Sequence, residues 1–273
     1  IVAKLDHPHI VPIYDFAEHN GHPYLVMRFI EGETLKAYVG RARSLEPQEI
    51  LRIARAVGQA LTYAHGQGIL HRDIKPSNIL LTPEGDRSPR SGVYLTDFGL
   101  ARMAEAGEST LSRDMMLGPP QYISPEQAKG IRNLDARTDV YSLGVVLYEL
   151  LVGRVPFTAD TPYAIVHDHI FTPLPMPRDL NPDLPEPLER VLLKALAKEP
   201  DDRFQSVEEL VAALEKALEP SAEIEAKETA AATVEVPPPS TVAHPAEPPP
   251  SETAKKPAEG EPKSQNRRWP WVV

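Results

Sequence analysis

Between residues 50 and 64 the apolar side chains fall at Ile50, Ile53, Ala54, Val57, Ala60, Leu61 and Ala64. That is a helical repeat, and Ser44-Leu45-Glu46-Pro47 ahead of it has N-cap and first-turn chemistry, so the spacing predicts one long core helix running to Gly66. Upstream the pattern changes. Two strand-like runs, Ile10 to Phe16 and Tyr24 to Ile30, flank His19-Asn20-Gly21-His22, a turn composition that predicts a hairpin. Residues 1–6 read as the last turn of a helix closed by His7-Pro8, and Glu31-Gly32-Glu33-Thr34 opens a short helix through Val39. Ile79 to Leu81 and Val93 to Thr96 are short strands around a polar loop. Residues 99–123 hold no period and read as a mobile loop. Asp139 to Leu151 is apolar on nearly every face, a buried helix stopped by Gly153. Leu188 to Ala197 and Val207 to Leu218 are two more amphipathic helices. A few strands followed by many helices is the α+β pattern.

Beyond residue 218 the pattern ends. Residues 219–266 are rich in Pro, Ala and Glu and almost without aromatics, too polar to offset the entropy of ordering, so they are expected to be a disordered spacer. The proline triplets at 237–239 and 248–250 suit a stiff linker or a polyproline ligand. Residues 267–273, Arg267-Arg268-Trp269-Pro270-Trp271-Val272-Val273, look like a basic flank, an interfacial aromatic pair and the start of a membrane span. The expected organisation is therefore a folded domain over 1–218, a juxtamembrane linker over 219–266 and the beginning of a transmembrane segment at 267–273. In that arrangement the domain faces the cytoplasm.

Composition narrows the chemistry. The chain of 273 residues has no cysteine, which excludes disulfides, thiolate catalysis and Cys-ligated zinc. Its net charge of -10 argues against nonspecific nucleic-acid binding, because nothing would neutralise phosphates along a duplex.

The most specific signal is His71-Arg72-Asp73-Ile74-Lys75-Pro76-Ser77-Asn78, followed downstream by Asp97-Phe98-Gly99. Phosphoryl transfer needs an acid to take the proton of an attacking hydroxyl, oxygen ligands for Mg²⁺, and a cation for phosphate charge. Asp73, Asn78 with Asp97, and Lys75 are those groups in order. Asn78 and Asp97 are hard oxygen ligands, suited to Mg²⁺ and not to a soft metal.

These motifs resemble the eukaryotic-like Ser/Thr protein kinases, and Tyr122-Ile123-Ser124-Pro125-Glu126-Gln127 resembles their bacterial branch. The resemblance implies a protein kinase-like fold with a mostly helical large lobe, only the end of the β-rich small lobe being present. It implies Asp73 as catalytic base, Lys75 as the residue marking Ser/Thr specificity, and ATP with Mg²⁺ as cofactors. Adenine binding falls by resemblance on Met27 as gatekeeper, the main chain of Arg28 and Ile30, and Leu80 as the floor. His71 and Phe98 would pack in a spine with Val2 and Ile13, Asp139 would anchor the base, and Glu126 would pair with Arg203. Protein hydroxyls of Ser and Thr are the implied substrates. An N-cap is the ordinary role of an Asp opening an apolar helix, so Asp139 by itself is ambiguous.

Two departures qualify the likeness. No Gly-rich phosphate loop and no strand Lys with its partner Glu are present, so the chain by itself is expected to show little activity. Pro119 stands where a Thr hydroxyl normally bridges the catalytic Asp and Lys. That substitution raises a pseudokinase acting as a scaffold as the rival reading, opposed by the intact Asp73, Asn78 and Asp97. A Pro-rich interaction protein would explain only residues after 218. Arg72 beside the base suggests pairing with a phosphate on Ser109, Thr110 or Ser112, which would order the loop.

Overall fold

The computed structural model describes residues 5–20, 22–42, 45–82, 92–98 and 120–219. Two antiparallel strands open the fold, β1 (Ile13–His19) and β2 (His22–Met27). They pair from Ile13 opposite Met27 to His19 opposite His22, with a bulge between Ile13 and Asp15. The expected hairpin is present, but both strands sit closer to the turn than periodicity suggested. Ile10 and Val11 are drawn off to another sheet, where Val11 N–H donates to Leu95 O and Leu95 N–H donates to His9 O. Leu5 and Asp6 are not helical, against expectation, and residues 1–4 lie outside the described residues.

The second sheet is antiparallel in the order β3 (Glu33–Thr34), β4 (Ile79–Leu81), β5 (Val93–Leu95). Glu33 and Thr34, expected in a helix, pair instead with Leu81 and Leu80. The short helix α1 (Leu35–Ala42) begins only after them. The long helix α2 (Pro47–Gly66) starts with Pro at N1, and its N-cap Glu46 makes no side-chain cap bond. A proline there loses nothing, because the first-turn N–H groups have no helical partner.

Five further helices complete the larger part: α3 (Pro125–Ala128), α4 (Ala136–Val152), α5 (Pro162–Phe171), α6 (Pro177–Leu180) and α7 (Glu186–Ala195), and α8 (Val207–Leu218) closes it. Helix α4 is buried along nearly its whole length, as its unbroken apolar sequence predicts. It starts earlier than expected. Asp135 is its N-cap, accepting from Arg137 N–H, which puts Asp139 inside the first turn and in the core. Gly153 ends it at φ +88°, the left-handed cap that a Cβ disfavours. Helices α2 and α8 pack closely at Gly58, where a Cβ would stand 2.8 Å from Val211 Cγ2. Helices α3, α5 and α6 carry little sequence period and were not foreseen. Local capping defines two of them, with Ser124 and Thr161 accepting from Gln127 N–H and Ala164 N–H.

No helix among the described residues is long and apolar enough to cross a membrane. The spacer and span expected at 219–266 and 267–273 lie, apart from Glu219, outside the described residues, as do Val2, Pro119, Ser109, Thr110 and Ser112.

Candidate active site

The loop between α2 and β4 carries His71, whose ring is fully buried. His71 Nε2–H donates to Thr96 O at 2.9 Å, so Nδ1 is free to accept from Asp73 N–H at 3.2 Å. Both bonds require the neutral ring. Burial drives the His71 pKa below its ordinary value, and the nearby carboxylates Asp139, Asp73 and Asp97 only partly oppose it. The ring also meets Phe98 edge-on at 4.6 Å. This is the contact expected of the two, and Ile13 lines the same small cleft as Phe98.

Asp139 holds the loop from below. Its carboxylate has no exposed surface and accepts from His71 N–H at 2.9 Å, Arg72 N–H at 2.8 Å and His65 Nε2–H at 2.7 Å. Burial pushes this carboxyl up, but those hydrogen bonds and the histidines outweigh it, so it stays below the ordinary carboxylate range. Capping the helix is not its task, since Asp135 does that. His65 was missed in the sequence because a His near a helix end reads as a surface residue.

Pinning both N–H groups bends the chain. Arg72 has φ +67° and Asp97 has φ +64°, left-handed conformations that cost about 1 kcal/mol or more for a residue with a Cβ. Arg72 immediately precedes Asp73, and Asp97 is itself the second carboxylate proposed for chemistry. Asp73 has a half-exposed carboxylate, 47 % accessible, whose Oδ2 takes Lys75 Nζ at 2.7 Å and Asn78 Nδ2–H at 3.0 Å. Asn78 Nδ2 also donates to Asp73 O at 2.8 Å, and the one-turn 3₁₀ helix Pro76–Asn78 brings it back across the loop. With its amide nitrogen so engaged, Asn78 turns its oxygen away from Asp73.

Asp97 follows β5 by two residues, after Thr96. Its carboxyl is pushed up, first by burial and then by the charge of Asp73, while His71 and Lys75 pull the other way. A cation beside it would relieve that shift, which fits the donor chemistry expected for Mg²⁺. Among the described residues no group of three His, Cys, Asp or Glu could hold a metal alone. The hard oxygens expected for Mg²⁺ are those of Asn78 and Asp97, a set that phosphate oxygens would have to complete.

The residues expected at adenine lie around the end of β2 and on β4. Met27 ends β2 and lines a small cleft with Ile10, Val11, Leu25, Thr96 and Phe98. Arg28 N–H donates to Pro12 O at 2.9 Å, so of its main chain only the carbonyl is left for a base. Ile30 lies in the link after β2, half-buried. Leu80 pairs with Tyr94 and Thr34 in β4 and does not line the Met27 cleft.

The expected ion pair is present and buried. Arg203 Nη1 and Nη2 reach Glu126 Oε1 and Oε2 at 2.8 and 2.9 Å, and the guanidinium also donates to the carbonyls of Ala197, Lys198 and Arg137. Thr138 Oγ1–H adds a bond to Glu126. Burial raises the Glu126 carboxyl, but Arg203 outweighs it and the net direction is down. Three neighbours of this region escaped the sequence reading. Tyr122 O–H donates to Glu149 at 2.7 Å, His169 Nε2–H to Gln121 O at 3.1 Å, and Gln127 Nε2–H to Arg72 O at 2.8 Å. Only Gln127 carried a signal, since Ser124-Pro125-Glu126-Gln127 is a capping-box sequence.

The protein kinase domain family matches residues 1–214, most of the chain. The chain belongs to the protein kinase family. Curated relatives include a probable serine/threonine-protein kinase of Streptomyces coelicolor, 40% identical over 222 residues, which cover 80% of this chain and 32% of the relative. The serine/threonine-protein kinase PknB of Mycolicibacterium smegmatis is 42% identical over 78% of this chain and 34% of its own length. PrkC of Bacillus subtilis is 38% identical over 80% and 32%. The chain thus spans about a third of the length of these relatives. Among solved structures, the PknI kinase domain of Mycobacterium tuberculosis superposes with TM-score 0.61 at 31% identity, covering 79% of this chain and 74% of that one. The fold is therefore the protein kinase fold, with the α+β make-up expected from the strand and helix pattern.

Proposed function

We propose that the protein transfers the γ-phosphoryl group of MgATP to Ser or Thr hydroxyls of other proteins. The observation that carries this reading is the Asp73 carboxylate, half-exposed and held by Lys75 and Asn78. In this reading the substrate hydroxyl oxygen attacks the γ-phosphorus, the bond to the β-γ bridging oxygen breaks to leave ADP, and the hydroxyl proton passes to Asp73. Lys75 offsets charge on the transferred group. Asn78 and Asp97 would hold Mg²⁺, whose charge would offset that of the phosphates. Met27, the Arg28 carbonyl and Ile30 N–H take the adenine. The relatives named as serine/threonine kinases support the choice of hydroxyl.

Two finer expectations belong to the same reading. The 273-residue chain by itself is inactive, because it has no Gly-rich loop or strand Lys. The full-length protein is held at the cytoplasmic face of a membrane by an apolar segment beginning near Trp269, supported by Arg267 and Arg268 on its flank.

The test is phosphoryl transfer from labelled ATP to a protein substrate by the full-length protein and its Asp73→Asn variant. Transfer to Ser or Thr that falls at least a hundredfold in the variant, with nucleotide binding kept, is the expected result. A full-length protein that binds nucleotide or a partner without transferring phosphate would favour the scaffold.

A further inference from the structure

Gln127 touches two backbones at once. Its Oε1 accepts from Ser124 N–H at 3.2 Å, completing the capping box in which Ser124 Oγ accepts from Gln127 N–H at 3.3 Å. Its Nε2–H donates to Arg72 O at 2.8 Å, 55 residues away in sequence. The two ends of an amide are easily confused, but here each faces a group of fixed polarity. A main-chain N–H can only donate and a carbonyl can only accept, so the orientation follows from both sides.

Arg72 is the strained residue that immediately precedes the proposed base. Its N–H is held by Asp139 Oδ1 and its carbonyl by Gln127. The peptide linking Arg72 to Asp73 is thus fixed at its oxygen, and the direction in which Asp73 leaves the turn is fixed with it. An unfavourable φ persists only where the surroundings over-determine it. Asp139 alone supplies one side of that constraint. Gln127 supplies the other, from the helix that also holds Glu126.

We propose that Gln127 is a positioning residue: its side-chain amide clamps the strained Arg72–Asp73 turn and so sets the orientation of Asp73 for proton transfer. This rests on the kinase reading of Asp73. It adds a residue that acts through Arg72 without touching substrate. The geometry also links the segment after Pro120 to the catalytic loop without any charged side chain.

The experiment separates the two bonds. Gln127→Glu keeps the acceptor that completes the capping box, since Glu serves there as well as Gln, but sets a carboxylate oxygen against the Arg72 carbonyl. Ser124→Ala does the reverse, weakening the cap and leaving the Arg72 bond. Both are made in the full-length protein, with Gln127→Met as a second variant that removes both bonds without changing volume much. Turnover, KM for ATP, melting temperature and amide exchange of residues 72–74 are measured.

Gln127→Glu and Gln127→Met should lower kcat about tenfold with KM for ATP nearly unchanged, and should speed exchange at the Asp73 amide by about tenfold. Ser124→Ala should lower the melting temperature while leaving kcat and that exchange within about twofold. The proposal is overturned if both Gln127 variants keep wild-type kcat and exchange, or if Ser124→Ala lowers kcat as much as they do. A wild-type protein that transfers no phosphate would end the proposed function, and amide exchange at Asp73 would then decide the clamp by itself.

Discussion

Asp139 and Asp73 are both carboxylates bonded to the same loop, and they differ in everything that matters for chemistry. Asp139 has no exposed surface and spends both oxygens on His71 N–H, Arg72 N–H and His65. Asp73 is half-exposed, and among the described residues its side-chain bonds to Lys75 and Asn78 both fall on one oxygen, Oδ2. A carboxylate that is buried and saturated can only hold. One that is exposed and half-engaged can accept a proton. The contrast extends outward, because Asp139, Glu126 and Arg203 form a buried frame in the helical part while Asp73, Lys75 and Asp97 reach toward its surface, with Asn78 buried beside Asp73.

The sharpest way to break this division is to exchange the two carboxylates' fates. Asp73→Asn should lower kcat about 10²–10⁴-fold while the melting temperature stays within about 2 °C, since an exposed group contributes little to folding. Asp139→Asn should instead destabilise the protein, and a loss of stability in Asp73→Asn equal to it would erase the distinction.

Breaking the frame at its ion pair tests the other half. Arg203→Met leaves Glu126 buried without its partner, and should cost about 3–5 kcal/mol in urea denaturation. Adding Glu126→Leu to the same protein removes the stranded charge and should recover part of that loss. A single variant as stable as the wild type would show that the pair is not buried in solution.

Acid probes the frame's histidines. His71 and His169 are buried with both ring nitrogens bonded, and burial lowers both pKa values, that of His169 to about 3 with Lys198 adding to the shift. The unfolded chain takes up protons at these rings near pH 6.5 and the folded chain does not. Stability should therefore be complete above about pH 6.5 and fall as the pH drops below it, continuing to about pH 3 for His169. Each such proton is worth about 1.4 kcal/mol per pH unit, and His169→Gln should remove one of them from the slope of stability against pH. An unchanged slope would mean that His169 is accessible to solvent.

The smallest effect belongs to the surface. Arg190 and Glu186 pair at 2.7 Å one turn apart on α7, both largely exposed. Glu186→Ala should cost no more than about 0.5 kcal/mol, and less at high salt. A loss comparable to Arg203→Met would show that burial is not what separates the two pairs.

The sequence by itself determined the helices with long apolar periods. Residues 50–64 and 207–218 bury one stripe each, and the unbroken apolar run from Val140 could only be a core helix. It also marks the residues proposed to carry the chemistry, because Asp73, Lys75, Asn78 and Asp97 stand at motif spacings that survive any placement of the helices. Tertiary structure decided what local pattern could not. Ile10 and Val11 have the same β-propensity as Ile13, yet pair with Leu95 because a distant strand offers a better partner than the hairpin. Glu33 and Thr34 leave the helix that follows them for the same reason. Asp139 reads in sequence as either a cap or, by resemblance, an anchor, and only the convergence of α2, α4 and the loop that carries Asp73 decides for the anchor. Gln127, His65 and His169 acquire their roles the same way, through bonds to main-chain groups and to side chains 28 to 74 residues away. A backbone carbonyl or N–H has no sequence signature, so the residue that satisfies it is visible only after the chain has folded.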